Sequence, residues 1–512
     1  MSTKIASNQV DGLAVNVDDY PTVQDALNTG LQVLGNGGTH LVSTPLLFTA
    51  DGQQLVGMNG FKLQSDGLTS NAPIILIEDL NDTKVLGVEF DCNAETYMAV
   101  RATVSAGATV NYSGLEISRC NVSNTYNVVT SLYGGFTVDN LSGAGFTYQI
   151  SGVNIHNNVI DNDTAAHSSH GCLVAYADNV LFADNEILSA GFHGMEAVEC
   201  TNVIQRNNRV KDCYQSGLGV GTFVKNFTIH DNLIDNCSGD GAITVEHNSV
   251  QGVVHNNVIT NALNQGINIS YGTGGTAPFN EVNDIIVHGN VCIADPTSEG
   301  KIGINAYSST GANIGTAVNI KDNILDGFAT GIECTWLDFG QVSGNTVRRF
   351  GLTSAGRPSK DFMNFIGCTK FSVLGNTCEQ EVTTHAITID TSIVSSSVFT
   401  VSDNFIQSAT AGALVRKEGN GDLLAYGNMT LGAVNYVSCD GTQSVRVSSN
   451  NGPLSGVALS GGSLNGNLES SGTPEGVVTA PIGSTYNRLD GGAGTSFYVK
   501  ESGSGNTGWV GK

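Results

Sequence analysis

The sequence is poor in charge, in proline and in long apolar runs. Charged residues make up 13% of the 512 residues, and only 9 residues are proline. No apolar run approaches the roughly 20 residues that a membrane-spanning helix needs. The first residues, MSTKIASNQVDGLAVNVDDY, lack the apolar core of a secretory signal. We therefore expect a protein that is made and folded in a cytoplasm and has no membrane partner.

Basic residues are also scarce. The chain has 22 Lys and Arg against 46 Asp and Glu, which gives a formal net charge of −24. Such a balance argues against a nucleic-acid partner, because phosphates require a basic surface. The 11 cysteines are scattered without the paired spacing of a metal site. We expect reduced core cysteines at Cys172, Cys213 and Cys237, and we predict neither a metal site nor a cofactor.

An asparagine-anchored unit recurs along most of the chain. Four copies read DNEILSA, NNRVKDC, DNLIDNC and NNVITNA, with anchors at Asn185, Asn208, Asn232 and Asn257. The signature returns near seven further anchors, at Asn158, Asn290, Asn323, Asn345, Asn376, Asn404 and Asn428. Apolar repeats of 20–30 residues without a helical pattern are typical of a β-solenoid. Asn tolerates left-handed backbone angles, so we expect each anchor in a turn, bonded to the coils on either side.

Two further columns share the repeat. Large aliphatic residues lie two positions after the anchors, at Ile187, Val210, Ile234 and Ile259. Small residues lie five positions after them, at Ala190, Cys213, Cys237 and Ala262. Stacked coils place equivalent residues above one another at about 4.8 Å. The sequence thus predicts an all-β fold, a right-handed parallel β-helix.

The repeat also suggests three domains. Residues 20–35 carry apolar residues at helical spacing, which predicts a short helix that caps the solenoid. We predict an N-terminal segment with this helix over 1–40, the β-helix over 41–452, and a small Gly-rich β unit over 453–512.

Both ends resemble known families. Asp19-Tyr20, the predicted helix, Gly37-Gly38 and the following strand resemble the first segment of pectate-lyase-like β-helix proteins. Near the C-terminus, PIGS (481–484), DGG (490–492), FYVK (497–500) and TGWV (507–510) resemble the ends of phage tail fibre and tailspike proteins.

The second resemblance implies a function. In that family such a chain is usually a homotrimeric spike on the virion tail that binds and often depolymerises a bacterial surface polysaccharide. It implies three partners: the polysaccharide, further copies of the chain, and another phage tail protein. The sequence leaves two alternatives open, a non-catalytic receptor-binding fibre and a cellular pectate-lyase-like polysaccharide lyase.

Candidate catalytic residues follow the turns. Aligning the residue before each glycine gives a polar column with His170, His193 and Asp240 on nearby coils. Three residues after this polar column lies another, in which Glu196, Asn268 and Glu333 are expected to face outward. Glu246 lies further along its strand, near the strand end. Hydrolysis of a glycosidic bond needs two carboxyl groups on either side of it. We predict Asp240 with Glu196 or Glu246 as the acid and base, with Glu333 and His193 as further candidates. Residues 238–245, SGDGAITV, resemble the aspartate-bearing strand of polygalacturonases, and this resemblance implies a catalytic role for Asp240 alone.

The predicted substrate contacts are basic, aromatic or amide groups. They are His170, His247, Asn268, Trp336, Arg348, Arg349 and Arg357. The arginines cluster near one inserted loop and suit an acidic sugar, because a lyase must neutralise the carboxylate of a uronate. Trp336 offers a stacking surface. Carboxylates and a basic loop together leave hydrolase and lyase open, and the sequence does not name the sugar.

Overall fold

The computed structural model describes residues 13–512 outside a set of short segments. These undescribed segments are 106–107, 109, 127–132, 141–149, 162–168, 238, 272–283, 297–301, 309–316, 349–361, 383–384, 393, 395–396, 410–412, 431–434, 441–442, 449–457, 461–462, 465–466, 479, 481 and 504. The chain divides into an N-terminal unit, Met1–Val253 with Thr276–Phe279, and a C-terminal unit, Val254–Gly275 with Asn280–Lys512.

In the N-terminal unit the chain visits three parallel sheets in turn, once per coil. The first sheet has strands Ala14–Asn16, Gln32–Asn36, Gln54–Met58, Lys84–Leu86, Tyr112–Ser118, Ile150–His156, Ala177–Ala183, Thr201–Arg206 and Lys225–His230. The second has Thr39–Val42, Lys62–Ser65, Glu89–Asp91, Asn121–Ser123, Val159–Asp161, Glu186–Ser189, Arg209–Lys211 and Leu233–Asp235. The third has Leu46–Leu47, Ile75–Glu78, Val100–Val104, Gly134–Asn140, His170–Ala175, Met195–Val198, Leu218–Val220 and Ile243–Val245.

The C-terminal unit repeats the same order of sheets; strand Val250–His255 contains the boundary between the units. Its first sheet has Asp284–His288, Ala317–Lys321, Phe339–Ser343, Lys370–Leu374, Val398–Ser402, Gly421–Tyr426, Gln443–Ser448 and Ser463–Leu464. The second has Val258–Ala262, Val291–Ala294, Ile324–Asp326, Thr346–Arg348, Thr377–Val382, Phe405–Ala409 and Met429–Thr430. The third has Gln265–Tyr271, Ile302–Ser308, Thr330–Thr335, Met363–Ile366, Ile387–Thr391, Ala413–Gly419, Asn435–Asp440 and Ala458–Ser460.

The predicted columns form the core. Ile187 pairs in register with Val210, and Val210 with Ile234, and all three are fully buried. The small-residue column is also inside, where Ala190 bridges to Cys213. Ten of the cysteines are described, and all ten are buried and free, as predicted for core residues. The parallel β-helix is therefore confirmed.

The anchor asparagines form a buried hydrogen-bonded ladder within each unit. Asn208 shows the pattern, because its Oδ1 accepts from the backbone N–H and the side-chain amide of Asn185, both at 3.0 Å. Its own Nδ2 donates to the Phe182 carbonyl and to Asn232 Oδ1, again at 3.0 Å. The same bonds link the anchors of the C-terminal unit from Asn257 to Asn428. Each amide thus pairs polar groups of neighbouring turns that would otherwise be buried without a partner.

Two expectations about the backbone are wrong. The left-handed conformation belongs to the residue before each anchor, such as Asn207 (φ 55°) or Gly289 (φ 66°), and not to the anchor itself. The capping helix is also shorter than predicted. It spans Val23–Leu27 after an N-cap at Thr22, and residues 32–36 form a strand instead. A 3₁₀ turn, Val17–Asp19, precedes the helix.

The C-terminal end carries a separate small sheet. Its strands are Asn467–Ser470, Thr485–Arg488, Phe497–Lys500 and Trp509–Gly511, and the last three pair antiparallel. Lys500 is fully buried there, and its Nζ donates to the carbonyls of Gly505 and Thr507. The sheet agrees with the small β unit expected at this end, whereas the predicted domain boundaries stay a prediction.

The ladder yields a prediction on stability. Asn208→Ala should lower the free energy of unfolding by roughly 2–4 kcal/mol, because it leaves the Asn185 N–H and the Phe182 carbonyl without partners. Urea denaturation followed by circular dichroism measures the change. Asn226→Gly is the control, since Asn226 is exposed at φ 55° and glycine adopts this conformation freely. We expect a change of about 0.5 kcal/mol or less for the control. Equal losses in the two variants would contradict the role of the ladder.

Candidate functional site

Glu196 lies on the outer face of the third sheet. Its neighbours Met195 and Ala197 point into the core and are fully buried, so strand alternation turns Glu196 outward, as predicted. The side chain is nevertheless enclosed, since Glu196 is only 9% exposed. A carboxyl group that faces outward but is shielded from water is a typical setting for acid–base chemistry.

The register around Glu246 corrects the predicted alignment. Leu218 pairs with Ile243, and Val220 pairs with Val245. Gly219 therefore lies beside Thr244, and two residues further along the chain Gly221 lies beside Glu246. Aligning the sequence on the residue before each glycine puts Asp240 beside Ser216, and Ile243, three residues on, in the column of Glu196. Both placements are wrong by one residue. The alternation of buried Ile243 and Val245 was the signal that would have given this register.

Two glycines, Gly219 and Gly221, leave a gap between Glu196 and Glu246 on the outer face of the sheet. Glu196 and Gly219 are register partners on adjacent strands. The Glu196 side chain leans across the gap, and its Oε1 lies 2.8 Å from the position that a Cβ on Gly221 would take. Glu246 follows on the coil after Gly221, so the strands that lead to Glu196 and Glu246 are two coils, or about 10 Å, apart. The two glycines thus leave room for both carboxyl groups to face the same space.

The two carboxyl groups have raised pKa values. Burial raises the pKa of Glu196 to about 8, and the nearby charge of Glu246 adds to the shift. Burial also raises the pKa of Glu246, where His247 opposes the shift and Asp240 adds to it. Glu196 is therefore mostly protonated at neutral pH. Two neighbouring carboxyl groups in different environments are the pattern of an acid and a base.

Buried histidines adjoin Glu196. Nδ1 of His170 lies 3.4 Å from Glu196 Oε2. Burial lowers the pKa of His170 well below its ordinary value, with a contribution from His193. Burial likewise lowers the pKa of His193 to about 4. His193 Nδ1 accepts the backbone N–H of Ser216 at 3.4 Å, and the rings of His170 and His193 lie 5.3 Å apart. Both imidazoles are neutral at pH 7, so His170 offers Glu196 a proton acceptor rather than a counter-charge.

Thr244 was not among the predicted site residues. It is 1% exposed, its Oγ1 has no hydrogen-bond partner, and that atom lies 3.3 Å from the position of a Cβ on Gly219. A buried hydroxyl without a partner is unusual. Thr244 Oγ1 therefore presents a free hydroxyl to the gap between the two carboxyl groups.

The other predicted residues of the N-terminal unit, Asp240 and His247, lie at the margin of the Glu196–Glu246 site. Asp240 is exposed in the turn before Ile243–Val245 and affects Glu246 only through its charge. His247 follows Glu246 at φ 44°, and its Nε2 lies 3.6 Å from Glu246 Oε2. The structure thus brings His170, His193 and Glu196 together with Glu246 and His247.

A second polar row lies on the third sheet of the C-terminal unit. Asn268, Asn305, Glu333 and Asn364 pair in register on successive strands. Asn305 Nδ2 donates to Asn268 Oδ1 at 3.1 Å, and Asn364 Nδ2 donates to Glu333 Oε2 at 3.2 Å. Burial raises the pKa of Glu333, and the bond from Asn364 opposes that shift. Glu333 and Asn268 face outward as predicted, but the register neighbours of Glu333 are amides rather than carboxyl groups.

Of the predicted aromatic and basic contacts, the structure describes Trp336 and Arg348. Trp336 is half-buried at φ 58°, in the turn after Thr330–Thr335. Arg348 ends a strand of the second sheet and forms a 2.8 Å ion pair with Glu379, so its charge is already matched. Arg349 and Arg357 lie outside the described residues.

The part of the chain that the structure describes contains no group of three or more His, Cys, Asp or Glu side chains that could hold a metal ion. It also contains no helix long and apolar enough to cross a membrane.

A protein-family model, the right-handed beta helix region, matches residues 100–251 and 142–314. Glu196, Glu246 and Asn268 all lie within this stretch. The fold is a right-handed parallel β-helix. The chain matches no curated protein sequence.

Several solved structures are similar at low identity. The periplasmic alginate epimerase AlgG is 12% identical, with 72% of this chain and 84% of that chain covered and a TM-score of 0.44. Gene product 12 of bacteriophage phi29, in its pre-mature form, is 11% identical, with 93% and 73% covered and a TM-score of 0.44. The enzymatically active domain of bacteriophage CBA120 tailspike protein 2 is 15% identical, with 72% and 45% covered and a TM-score of 0.33. At these values the similarity says nothing about substrate or mechanism.

The raised pKa of Glu196 predicts a pH-dependent stability. Between its ordinary value of 4.5 and about 8, the unfolded chain loses this proton while the folded chain keeps it. Stability from this group is therefore highest at low pH and falls as the pH rises through that window. Glu196→Gln cannot ionise and should gain roughly 3–5 kcal/mol relative to the wild type between about pH 5 and about pH 9.

Denaturation at the two pH values measures this gain. Glu78→Gln is the matched control, because Glu78 lies exposed on the same sheet. A Glu196→Gln variant whose difference from the wild type is the same at both pH values would show that Glu196 ionises normally in the folded protein.

Proposed function

We propose that this chain is a phage tailspike that binds and hydrolyses a bacterial surface polysaccharide, with Glu196 as general acid and Glu246 as its partner carboxylate. The observation that carries the proposal is that the carboxyl groups of Glu196 and Glu246 adjoin one gap, which is left open by Gly219 and Gly221. In such a pair, one group must hold a proton while the other is ionised. The enclosed position of Glu196 and the more open position of Glu246, whose side chain is 21% exposed, provide that difference.

Glu196 donates its proton to the glycosidic oxygen as the bond breaks. Its pKa of about 8 keeps it protonated at neutral pH, and the optimum for a general acid lies near the operating pH. His170 Nδ1 lies 3.4 Å from Oε2 and is neutral because burial lowers the His170 pKa, so no positive charge there favours the ionised form of Glu196. Thr244 Oγ1 lies in the gap as a hydrogen-bonding group for a sugar hydroxyl.

Glu246 acts on the opposite side of the glycosidic bond. As a carboxylate it stabilises positive charge that develops on the sugar ring, and it either activates a water molecule or attacks the sugar itself. His247, at 3.6 Å from its carboxylate, favours the ionised form, since its charge opposes the rise in the Glu246 pKa. Asp240 stays a lesser candidate, because it is exposed and acts on the pair only through its charge.

Hydrolysis is favoured over elimination by the charge around the pair. A lyase must neutralise a uronate carboxylate with cations. In the described residues the outward positions beside the pair are Leu173, Gly219 and Thr244 in one column and Ala175, Val198 and Gly221 in the other. None of these is basic, and His247 is already paired with Glu246 at 3.6 Å. A sugar carboxylate there would face two acidic groups. We therefore assign a neutral glycosidic linkage to this site.

The tailspike setting rests on the C-terminal residues that resemble tail fibre ends. With it come a homotrimer, attachment to another tail protein, and action outside the host cell after synthesis in its cytoplasm. A receptor-binding fibre without catalysis is the competing function, and the same experiment separates the two.

Single substitutions test the carboxyl pair. Glu196→Gln and Glu246→Gln should each lower polysaccharide cleavage by about 10²–10⁴-fold, which is the usual worth of general acid–base help. Cleavage is measured as new reducing ends on a panel of purified capsular polysaccharides, exopolysaccharides and O-antigens. A hydrolase gives reducing ends without the ultraviolet absorbance of unsaturated ends, and a lyase gives both.

The control is Glu78→Gln, which should retain wild-type cleavage. If both site variants keep full activity with an unchanged circular dichroism spectrum, the site is elsewhere. If the wild type binds a polysaccharide and releases no ends from it, the receptor-binding fibre is the correct function.

The pH dependence of cleavage gives a second test. Glu196 must be protonated to act, so cleavage at low substrate concentration should fall as the pH rises through about 8. Glu246 must be ionised, so its raised pKa should give a loss on the acid side above the ordinary value of 4.5. An alkaline limit near that ordinary value, rather than near 8, would exclude Glu196 as the acid.

A further inference from the structure

The polar row of the C-terminal unit contains a hydrogen-bond acceptor that no described residue satisfies. Asn305 is 7% exposed, and its Oδ1 is buried without a hydrogen-bond partner. The other end of the same amide is occupied, since Nδ2 donates to Asn268 on the preceding coil. Oδ1 therefore points away from Asn268, towards the coil that carries Glu333.

Glu333 faces Asn305 with acceptors only. It is the register partner of Asn305 on the next strand. Its Oε2 accepts from Asn364, which lies on the far side of it from Asn305. An amide oxygen and a carboxylate that face each other have no proton to share. A buried carbonyl oxygen without a donor is unfavourable, so this space suits a group that brings O–H or N–H donors.

An aromatic ring adjoins this space. Tyr307 lies two residues after Asn305 on strand Ile302–Ser308, so it faces outward on the same side of the sheet. Tyr307 is half-buried, so part of its side chain is free for contact. Acceptors beside a free aromatic face match a sugar, whose hydroxyls donate and whose C–H face packs on a ring.

We propose that Asn305, Tyr307 and Glu333 form a non-catalytic saccharide-binding subsite, held in place by Asn268 and Asn364. The subsite rests on the proposed function only in taking a saccharide as its ligand. It does not cleave the sugar, because Glu333 has amides rather than a second carboxyl group on both neighbouring strands. Two neighbouring acceptors suit a pair of sugar hydroxyls, and a carboxylate beside them disfavours a sugar acid at this position.

The test measures binding apart from cleavage. Full-length Glu196→Gln is applied to an array of the same purified capsular polysaccharides, exopolysaccharides and O-antigens, and dissociation constants are determined for those that bind. Adding Asn305→Leu, which removes the acceptor at similar volume, should weaken binding about tenfold or more. Adding Tyr307→Ala should do the same by removing the ring, and it serves as the second variant if Asn305→Leu does not fold.

Gln341→Ala is the matched control, because Gln341 is an exposed polar residue on the first sheet of the same unit. It should bind as the parent does. Parent-like binding by folded Asn305→Leu and Tyr307→Ala variants would overturn the subsite. So would binding that is lost with a chelator and restored by Ca²⁺, because the acceptor oxygens would then belong to a cation.

The two proposals fail separately. If the wild type cleaves no polysaccharide but Asn305→Leu and Tyr307→Ala still weaken binding, the subsite stands and the hydrolase falls. If cleavage depends on Glu196 while both subsite variants bind as the parent does, the hydrolase stands and the subsite falls.

Discussion

The buried asparagine ladder is the constraint on which the rest of this fold depends. Each anchor amide bonds both to the next anchor and to a backbone carbonyl of an earlier turn, as Asn208 does with Asn232 and Phe182. These bonds form only if every coil brings its anchor to the same place. Extra residues must therefore leave the coil between strands, which is why anchor spacings of 22 to 33 residues give the same ladder. The ladder fixes the inside and leaves the outer faces of the sheets free to vary.

This division explains what could be predicted from the sequence. The inward columns repeat in every coil, so Ile187 and its equivalents identified the β-helix from composition and spacing alone. The outward residues do not repeat, and their alignment relied on a polar residue before glycine. That rule failed at Asp240-Gly241, where the buried pair Ile243 and Val245 sets the register instead. Because this strand was aligned one residue out of register, the sequence did not predict that Thr244 lies in the Glu196 column or that Glu246 lies near Glu196. The helix was overestimated for a similar reason, because the apolar residues of 31–36 also fit an alternating strand.

The chemistry of the proposed active site depends as much on missing side chains as on those present. With any larger residue at 221, the Glu196 carboxyl group would lose the space that it occupies above Gly221. Enclosure then raises the Glu196 pKa, and the histidines beside it are themselves too buried to be charged. Burial is thus the main reason why the Glu196 carboxyl group and the two imidazoles beside it are neutral, while the more open Glu246 can ionise.

The two outward glutamates show how neighbours decide the role of one residue type. Glu196 and Glu333 both lie on third-sheet strands, both face outward, and burial raises the pKa of each. Glu196 has a second carboxyl group within electrostatic reach, so a proton can be held by one group and absent from the other. Glu333 lies between Asn305 and Asn364, whose amides can donate and accept hydrogen bonds but do not titrate. The first arrangement supports proton transfer, whereas the second supports only recognition. The two proposed sites therefore lie on the same kind of sheet and differ in whether the glutamate has a second carboxyl group or amides as its neighbours.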